Sequence, residues 1–225
     1  MTAYDHRARL QPKNIRTARD ILGEEKDSNI LYPLYSTQGV IFPYTPTIVT
    51  GYAAEYAASE FVHTNYNYNS YVRSYPKDIT ITAEFTAQTN DEALYLLAVM
   101  HFFRSVTKSY FGVTPYSKAG TPPPVLLFSY MGEHQFNRVP VVVKSFDYTL
   151  PSDVDYVSVN TTDVSLYTTG FGVKLPRSNS SGYTQVPVLL TVTVVLDTQY
   201  SPIQTRNEFN LELFRSGRLM DRGFL

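Results

Sequence analysis

Two stretches of the chain alternate between apolar and polar residues with a period of two. The first, DITITAEFT, begins at Asp78, and the polar positions that follow it are Thr80, Thr82, Glu84 and Thr86. The second, VPVLLTVTVVLDTQYS, begins at Val186, and its polar positions are Thr191, Thr193 and Asp197. Because successive side chains of a strand point to opposite faces of a sheet, both stretches predict antiparallel strands with one buried and one polar face.

The segment between these strands, TNDEALYLLAVMHFFRSVTKSYFG, has the pattern of a helix. Thr89 is followed three residues later by Glu92, as a capping box requires. One side carries a mostly apolar stripe of Leu94, Leu97, Ala98, His101, Phe102 and Ser105. We therefore predict one helix over residues 90–108 that lies on the flank of the sheet, anchored by Leu94, Leu97 and Phe102. The two basic residues near its outer end, Arg104 and Lys108, are candidates for contact with a neighbouring protein.

The chain divides into an arm, one β domain and a tail. Residues 1–30 hold many charges of both signs and few apolar residues, so we expect an extended N-terminal arm that becomes ordered only against another chain. Residues 31–200 carry the strand patterns and are expected to form the β domain. Residues 152–185 extend from it as a long polar loop, in which VSVNTTDVSLYT could form a small hairpin. Residues 201–225 form the C-terminal tail.

Composition argues against several kinds of active site. The chain has no Cys, which excludes thiol catalysis and a disulfide framework. Its four His are scattered, and no phosphate-binding loop or nucleophile elbow is present. His101 lies on the apolar stripe and is expected to be a packed residue. Asp153, Asp155 and Asp163 lack the Gly and Glu of a calcium loop. We therefore expect no catalytic residue, no cofactor and no metal, in a protein that is not an enzyme.

Charge and hydropathy limit the partners. The formal net charge of −1 gives no overall attraction to nucleic acid or to an anionic membrane. The N-terminus does not look like a signal peptide, and no apolar run approaches the roughly 20 residues of a membrane helix. We expect a soluble protein made in a cytoplasm. The 19 Tyr and 13 Phe fit either an ordinary β core or extensive contacts between subunits.

Several segments in the last two-thirds of the chain resemble one family. They are, in order, DEALYLLAVMHFFRSVTKSYFG, AGTPPPVLLFSYMGEHQFNRVPVVVKSFDYTLPSDVDYV, VLLTVTVVLDTQYS and FNLELFRSGRLMDRGFL. Together they resemble the baseplate tail-tube junction and tube-initiator proteins of contractile-tailed bacteriophages. The resemblance implies a mainly β fold, a sandwich or split barrel of the tail-tube type, with the helix on its flank.

The same resemblance implies a structural virion protein. Six copies would form a ring whose inner strands join into one barrel, seated on the central hub of the baseplate, where the ring joins the hub to the tail tube and initiates tube polymerisation. The implied partners are the tail tube protein and the hub and baseplate wedge proteins, and genomic DNA passes through the lumen without specific binding. A barrel of about 24 strands has a backbone diameter of about 48 Å, wide enough for a duplex.

Within such a ring, we expect at least one of the two polar strand faces to line the lumen. The alternative is that these faces are exposed on the outer wall. Other functions also stay open at this point. The chain could be the tail tube protein itself or another ring of the hub, or, in a different class, a Tyr-rich carbohydrate-binding β sandwich.

Overall fold

A computed structural model describes residues 6–23, 30–112, 118–160 and 183–225. The described part is mainly β, with a large antiparallel sheet and few helices, and this confirms the predicted class at that level. The strands are β1 (Arg9–Pro12), β2 (Val40–Ile41), β3 (Thr47–Val49), β4 (Tyr52–Ser59), β5 (Tyr68–Pro76), β6 (Ile79–Thr86), β7 (Leu126–Tyr130), β8 (Phe136–Thr149), β9 (Tyr156–Asn160), β10 (Tyr183–Pro187) and β11 (Leu189–Thr198). The helices are α1 (Ile15–Leu22), α2 (Pro33–Thr37), α3 (Asn90–Val106), α4 (Pro202–Glu208) and α5 (Leu211–Arg215), with a 3-10 turn at Met220–Arg222.

Seven strands form the large sheet, in the order β2, β1, β7, β8, β11, β6, β3, and all neighbours are antiparallel. The two strands predicted from alternation, β6 and β11, are direct neighbours, with Thr82 opposite Thr193. Their apolar positions are buried on one face: Ile79, Ile81, Ala83, Phe85, Leu190, Val192, Val194 and Leu196. The period of two is therefore confirmed in both strands.

The predicted capping box begins α3. The Glu92 N–H donates to Thr89 Oγ1 at 3.3 Å, and the Thr89 N–H donates to Glu92 Oε2 at 3.2 Å. These bonds satisfy backbone donors that have no partner inside the helix. The helix ends at Val106, with Thr107 as its C-cap, two residues before the predicted end.

Helix α3 is buried on more sides than its sequence stripe predicts. It contacts β6 and β8 of the sheet, and also β9, β10, α1 and α2. Of the three predicted anchors, Leu97 and Phe102 are buried and Leu94 is partly buried. Ser105, at the end of the stripe, is exposed. Residues outside the stripe are buried as well: Ala93, Leu96, Val99, Met100, Phe103 and Val106.

The N-terminal residues differ from the expected free arm. Strand β1 lies inside the sheet, paired with β2 on one side and β7 on the other. Leu10 is fully buried, and Gly39 approaches so closely that a Cβ there would lie 2.3 Å from the Leu10 carbonyl oxygen. Leu22 at the end of α1 is buried too. Because charged residues separate these apolar residues, their spacing shows no clear period, and the sequence pattern did not predict β1 or α1.

Two smaller strand pairs complete the fold. β4 and β5 form a hairpin that continues from β3 and β6, and the Lys77 N–H donates to the Gly51 carbonyl at 2.7 Å where the two halves meet. β9, which holds the first four residues of the segment VSVNTTDVSLYT, pairs with β10. The rest of that segment, including Asp163, lies outside the described residues. Val159 and Val186 of this pair are buried against the core.

Candidate assembly surface

The polar residues of four neighbouring strands lie in rows across one face of the sheet. Thr47, Thr82, Thr193 and Asp147 are register partners from β3 to β8. The next row toward one end is Val49, Thr80, Val195 and Ser145, and the next toward the other end is Glu84, Thr191 and Thr149. We call these eleven positions, together with Thr86, the polar face.

The structure brings the predicted lumen residues of β6 and β11 together on this polar face. Thr82, Glu84 and Thr191 are exposed, whereas Thr80 and Thr193 are half-buried. Thr86 is hydrogen-bonded to the Tyr44 hydroxyl at 2.9 Å, and Asp197 lies at the far end of β11, opposite Val142 of β8. These residues are adjacent because β6 pairs with β11, which is far away in the chain, and neither strand's own sequence predicts that pairing. The ionisable side chains in these rows are the carboxylates of Glu84 and Asp147.

One edge of this four-stranded part of the sheet is open. β7 pairs with β8 only as far as Val141, whereas β8 continues to Thr149. On one side, residues 142–149 pair with β11, except for Lys144, which the ladder skips at a bulge. None of the described strands pairs with residues 142–149 on the other side. β3, the last strand at the opposite side, is only three residues long. Unpaired strand edges of this kind are templates for pairing with another chain.

The hairpin of β4 and β5 projects with nearly all of its residues exposed. The eight residues of β4 span about 27 Å. Its large exposed side chains are Tyr52, Tyr56, Phe61, Val62, Tyr66, Tyr68, Tyr71, Val72 and Tyr75. A two-stranded hairpin alone is marginally stable in water, and an exposed aromatic surface of this extent usually marks a contact site. The hairpin is therefore a candidate contact surface.

Pairs of side chains across the hairpin hold its two strands together. The rings of Tyr56 and Tyr71 meet edge-on at 5.8 Å. The Arg73 Nε donates to Glu55 Oε2 at 2.6 Å, and this pair raises the pKa of Arg73. The sequence patterns above did not predict this hairpin. The four-residue spacing of Tyr52 and Tyr56 in YAAEYAAS, which places both rings on one face of a strand, was a signal for its first strand.

The two basic residues predicted at an interface lie at the exposed C-terminal end of α3. Arg104 stacks over the Tyr148 ring at 5.3 Å and donates a hydrogen bond to its hydroxyl. His101, one helical turn earlier, is half-buried, and burial, with Arg104 nearby, lowers its pKa. Arg104 is thus tied to β8, while Lys108 extends beyond the last turn.

Among the described residues, no group of three or more His, Cys, Asp or Glu is arranged to hold a metal ion. None of the helices in the described ranges has the length and hydropathy needed to cross a membrane. The chain matches no protein-family model and no curated protein.

Proposed function

We propose that this chain is a structural virion protein whose copies join edge to edge into a ring at the centre of a phage baseplate. The ring joins the central hub to the tail tube and initiates polymerisation of the tube. The observation that carries the proposal is the four-stranded polar face beside the open edge of β8. The resemblance in sequence supplies the setting, a contractile tail, and the fold of the tail-tube type.

Pairing between copies explains both the open edge and the polar face. Along one side of the four strands, residues 142–149 of β8 pair with no strand of the described residues. If the β3 side of the next copy pairs there, the strands of six copies close into one barrel of about 24 strands with no free edge. The polar face then lines the lumen, and the buried face with α3 forms the outer layer of each subunit.

The chemistry of the polar face suits the passage of DNA. Thr and Ser dominate its rows, and its ionisable groups are Glu84 and Asp147. A basic lining would hold the phosphates of a duplex, whereas hydroxyls and a few carboxylates do not. The exposed hairpin then serves contacts with neighbouring copies or with the tail tube protein, because its aromatic residues offer stiff, amphipathic area.

Labelling of single Cys variants tests the lumen assignment, because the parent chain has no Cys. Thr82→Cys and Thr193→Cys should react with a polymer-linked maleimide in the isolated chain and resist it in assembled tails. Thr205→Cys, on the exposed side of α4, is the matched control and should react in both states. Equal reactivity of Cys at 82 and 193 in isolated chains and in intact tails would place the polar face on the outer wall and refute the lumen assignment.

Particle imaging separates the proposed junction ring from the alternatives in the same class. One ring of this chain in each tail, located beside the hub, is the expected result. Many stacked rings along the tail would identify the chain as the tail tube protein. The exposed Tyr residues of the hairpin are also compatible with carbohydrate binding. Binding on a glycan array that is lost in the Tyr56→Ser and Tyr71→Ser variants would favour that function over the ring.

A further inference from the structure

A cleft of about 470 Å³ opens between the C-terminal half of α3, the end of β8 and β10. Its apolar walls include Leu97, Met100, Leu150, Val186 and Pro187. Polar residues line it too: His101 and Arg104 from α3, Tyr148 from β8 and Gln185 from β10. An apolar pocket with a few directed polar groups is the usual form of a binding site, and this volume is in the common range.

Arg104 has capacity for a further partner at this rim. Its guanidinium donates through Nη2 to the Tyr148 hydroxyl, and its Cζ lies 5.3 Å from the centroid of that ring, so this contact uses one of its donors. Among the described residues, no carboxylate lies within ion-pair distance of it. A guanidinium has five N–H donors, so the remaining donors can pair with a carboxylate in the planar, two-point geometry that Arg favours.

A second cleft, of about 400 Å³, lies on the other side of Arg104 and includes Lys108. Its carboxylate, Asp20, is already paired with Lys118. The two clefts share Arg104 and therefore lie next to each other, and Lys108 lines the second. We call this surface the basic groove. Its net positive charge and its apolar walls together favour a ligand that carries both a carboxylate and an apolar side chain.

We propose that the basic groove binds an acidic segment of a partner protein. A carboxylate of the segment pairs with Arg104, and an adjacent apolar side chain enters the cleft beside Leu97 and Val186. A small free anion would use the Arg104 contact but leave the apolar walls unfilled, so a protein segment fits the observations better. The inference does not depend on the ring, because the groove lies on the α3 side of the sheet, away from the polar face.

A simpler explanation predicts a different result. Arg104 and Lys108 stand at the C-terminal end of α3, where positive charge stabilises the helix dipole by about 0.3–1 kcal/mol. If that were their whole role, removing Arg104 would change the stability of the chain but not its binding of any peptide. Binding measurements on the folded chain therefore separate the two explanations.

Selection of random peptides displayed on a surface, with the full chain immobilised, tests the proposal without knowledge of the partner. Enriched peptides should contain Asp or Glu beside a large apolar residue. A synthetic copy of an enriched peptide, followed by fluorescence anisotropy, should lose roughly tenfold in affinity for Arg104→Gln, as expected for loss of one charge-assisted pair. Arg206→Gln, an exposed Arg in α4, is the matched control and should bind like the parent.

A change on the peptide side guards against misfolding of the variant. Replacing the acidic residue of the peptide by its amide should weaken binding to the unmodified chain to the same degree. The proposal is wrong if the selection enriches no acidic peptides. It is also wrong if Arg104→Gln binds the enriched peptide as tightly as Arg206→Gln does, since the groove would then not be the binding surface.

Discussion

The Tyr95 hydroxyl binds backbone groups of the edge strand β2, and removing it tests how much these hydrogen bonds stabilise the fold. The hydroxyl donates to the Ile41 carbonyl and accepts from the Ile41 N–H, both at 2.9 Å. On the other side of the strand, the Phe42 N–H donates to the Ala8 carbonyl at 2.9 Å. Alternate residues of a strand turn their backbone groups away from its partner, so Tyr95 takes the place of a further strand beside Ile41.

The change Tyr95→Phe removes one oxygen and leaves two backbone groups of Ile41 without that partner. An unsatisfied buried group costs about 1–3 kcal/mol. Ile41 is only half-buried, so water can reach part of the site, and we expect a loss of about 2 kcal/mol for the pair. In a chain of this length, 1 kcal/mol shifts the melting temperature by about 2–4 °C, so a fall of about 4–8 °C is expected.

Thermal unfolding followed by circular dichroism measures this change. Tyr156→Phe is the matched control, because its hydroxyl donates to the Pro151 carbonyl at 2.7 Å but the side chain is exposed. That variant should melt within about 0.5 kcal/mol of the parent, as surface substitutions usually do. If Tyr95→Phe melts like Tyr156→Phe, the hydroxyl does not close the edge of β2 and the reasoning fails.

Three further predictions concern the core and the effect of pH. Leu97→Ala should lower the free energy of unfolding, measured with denaturant, by about 2–5 kcal/mol, because Leu97 is buried. Leu211→Ala in the exposed helix α5 should lower it far less. Equal losses in the two variants would show that Leu97 is not a core residue. Hydrogen bonds from the Gln88 and Thr89 N–H groups lower the pKa of Glu92, so its contribution to folding stability is present above the unfolded pKa and is lost as pH falls through the lower folded value. Glu92→Gln should therefore reduce the loss of stability in acid. An acid unfolding curve identical to that of the parent would contradict this. Burial raises the pKa of Tyr200 to about 12, so its contribution to folding stability is present below pH 10, the ordinary pKa of Tyr, and is lost between about pH 10 and 12. Tyr200→Phe should therefore reduce the loss of stability at alkaline pH. An alkaline unfolding curve identical to that of the parent would exclude Tyr200 as the source of this loss.

The sequence predicted those elements whose pattern of residues is complete within a short segment. β6 and β11 each expose one face, so their alternation was visible in sequence and is confirmed. The capping box of α3 depends on Thr89 and Glu92 alone, which lie three residues apart, and it is also confirmed. In both cases the contacts that fix the structure are close in sequence, and this is why the residues themselves reveal it.

Other parts of the fold depend on contacts between distant segments. The burial of α3 on several sides comes from β9 and β10, which pair with each other from either end of the 152–185 loop. The continuity of the polar face comes from the pairing of β6 with β11 and of β11 with β8. β1 has only four residues, too few to show a period. No local pattern encodes these pairings, so the candidate surface could be named only strand by strand.

The pairing of β9 with β10 has a practical consequence for labelling this chain. Asn160 and Tyr183 lie opposite each other in the ladder, so the two ends of the chain that flank residues 161–182 are neighbours. A small fluorescent or electron-dense domain with adjacent termini, inserted between these two positions, would join ends that already lie side by side, and the entropic cost of closure rises slowly with the added length. The ladder thus provides a permissive insertion point for an imaging label, separate in sequence from β8, from the hairpin and from α3.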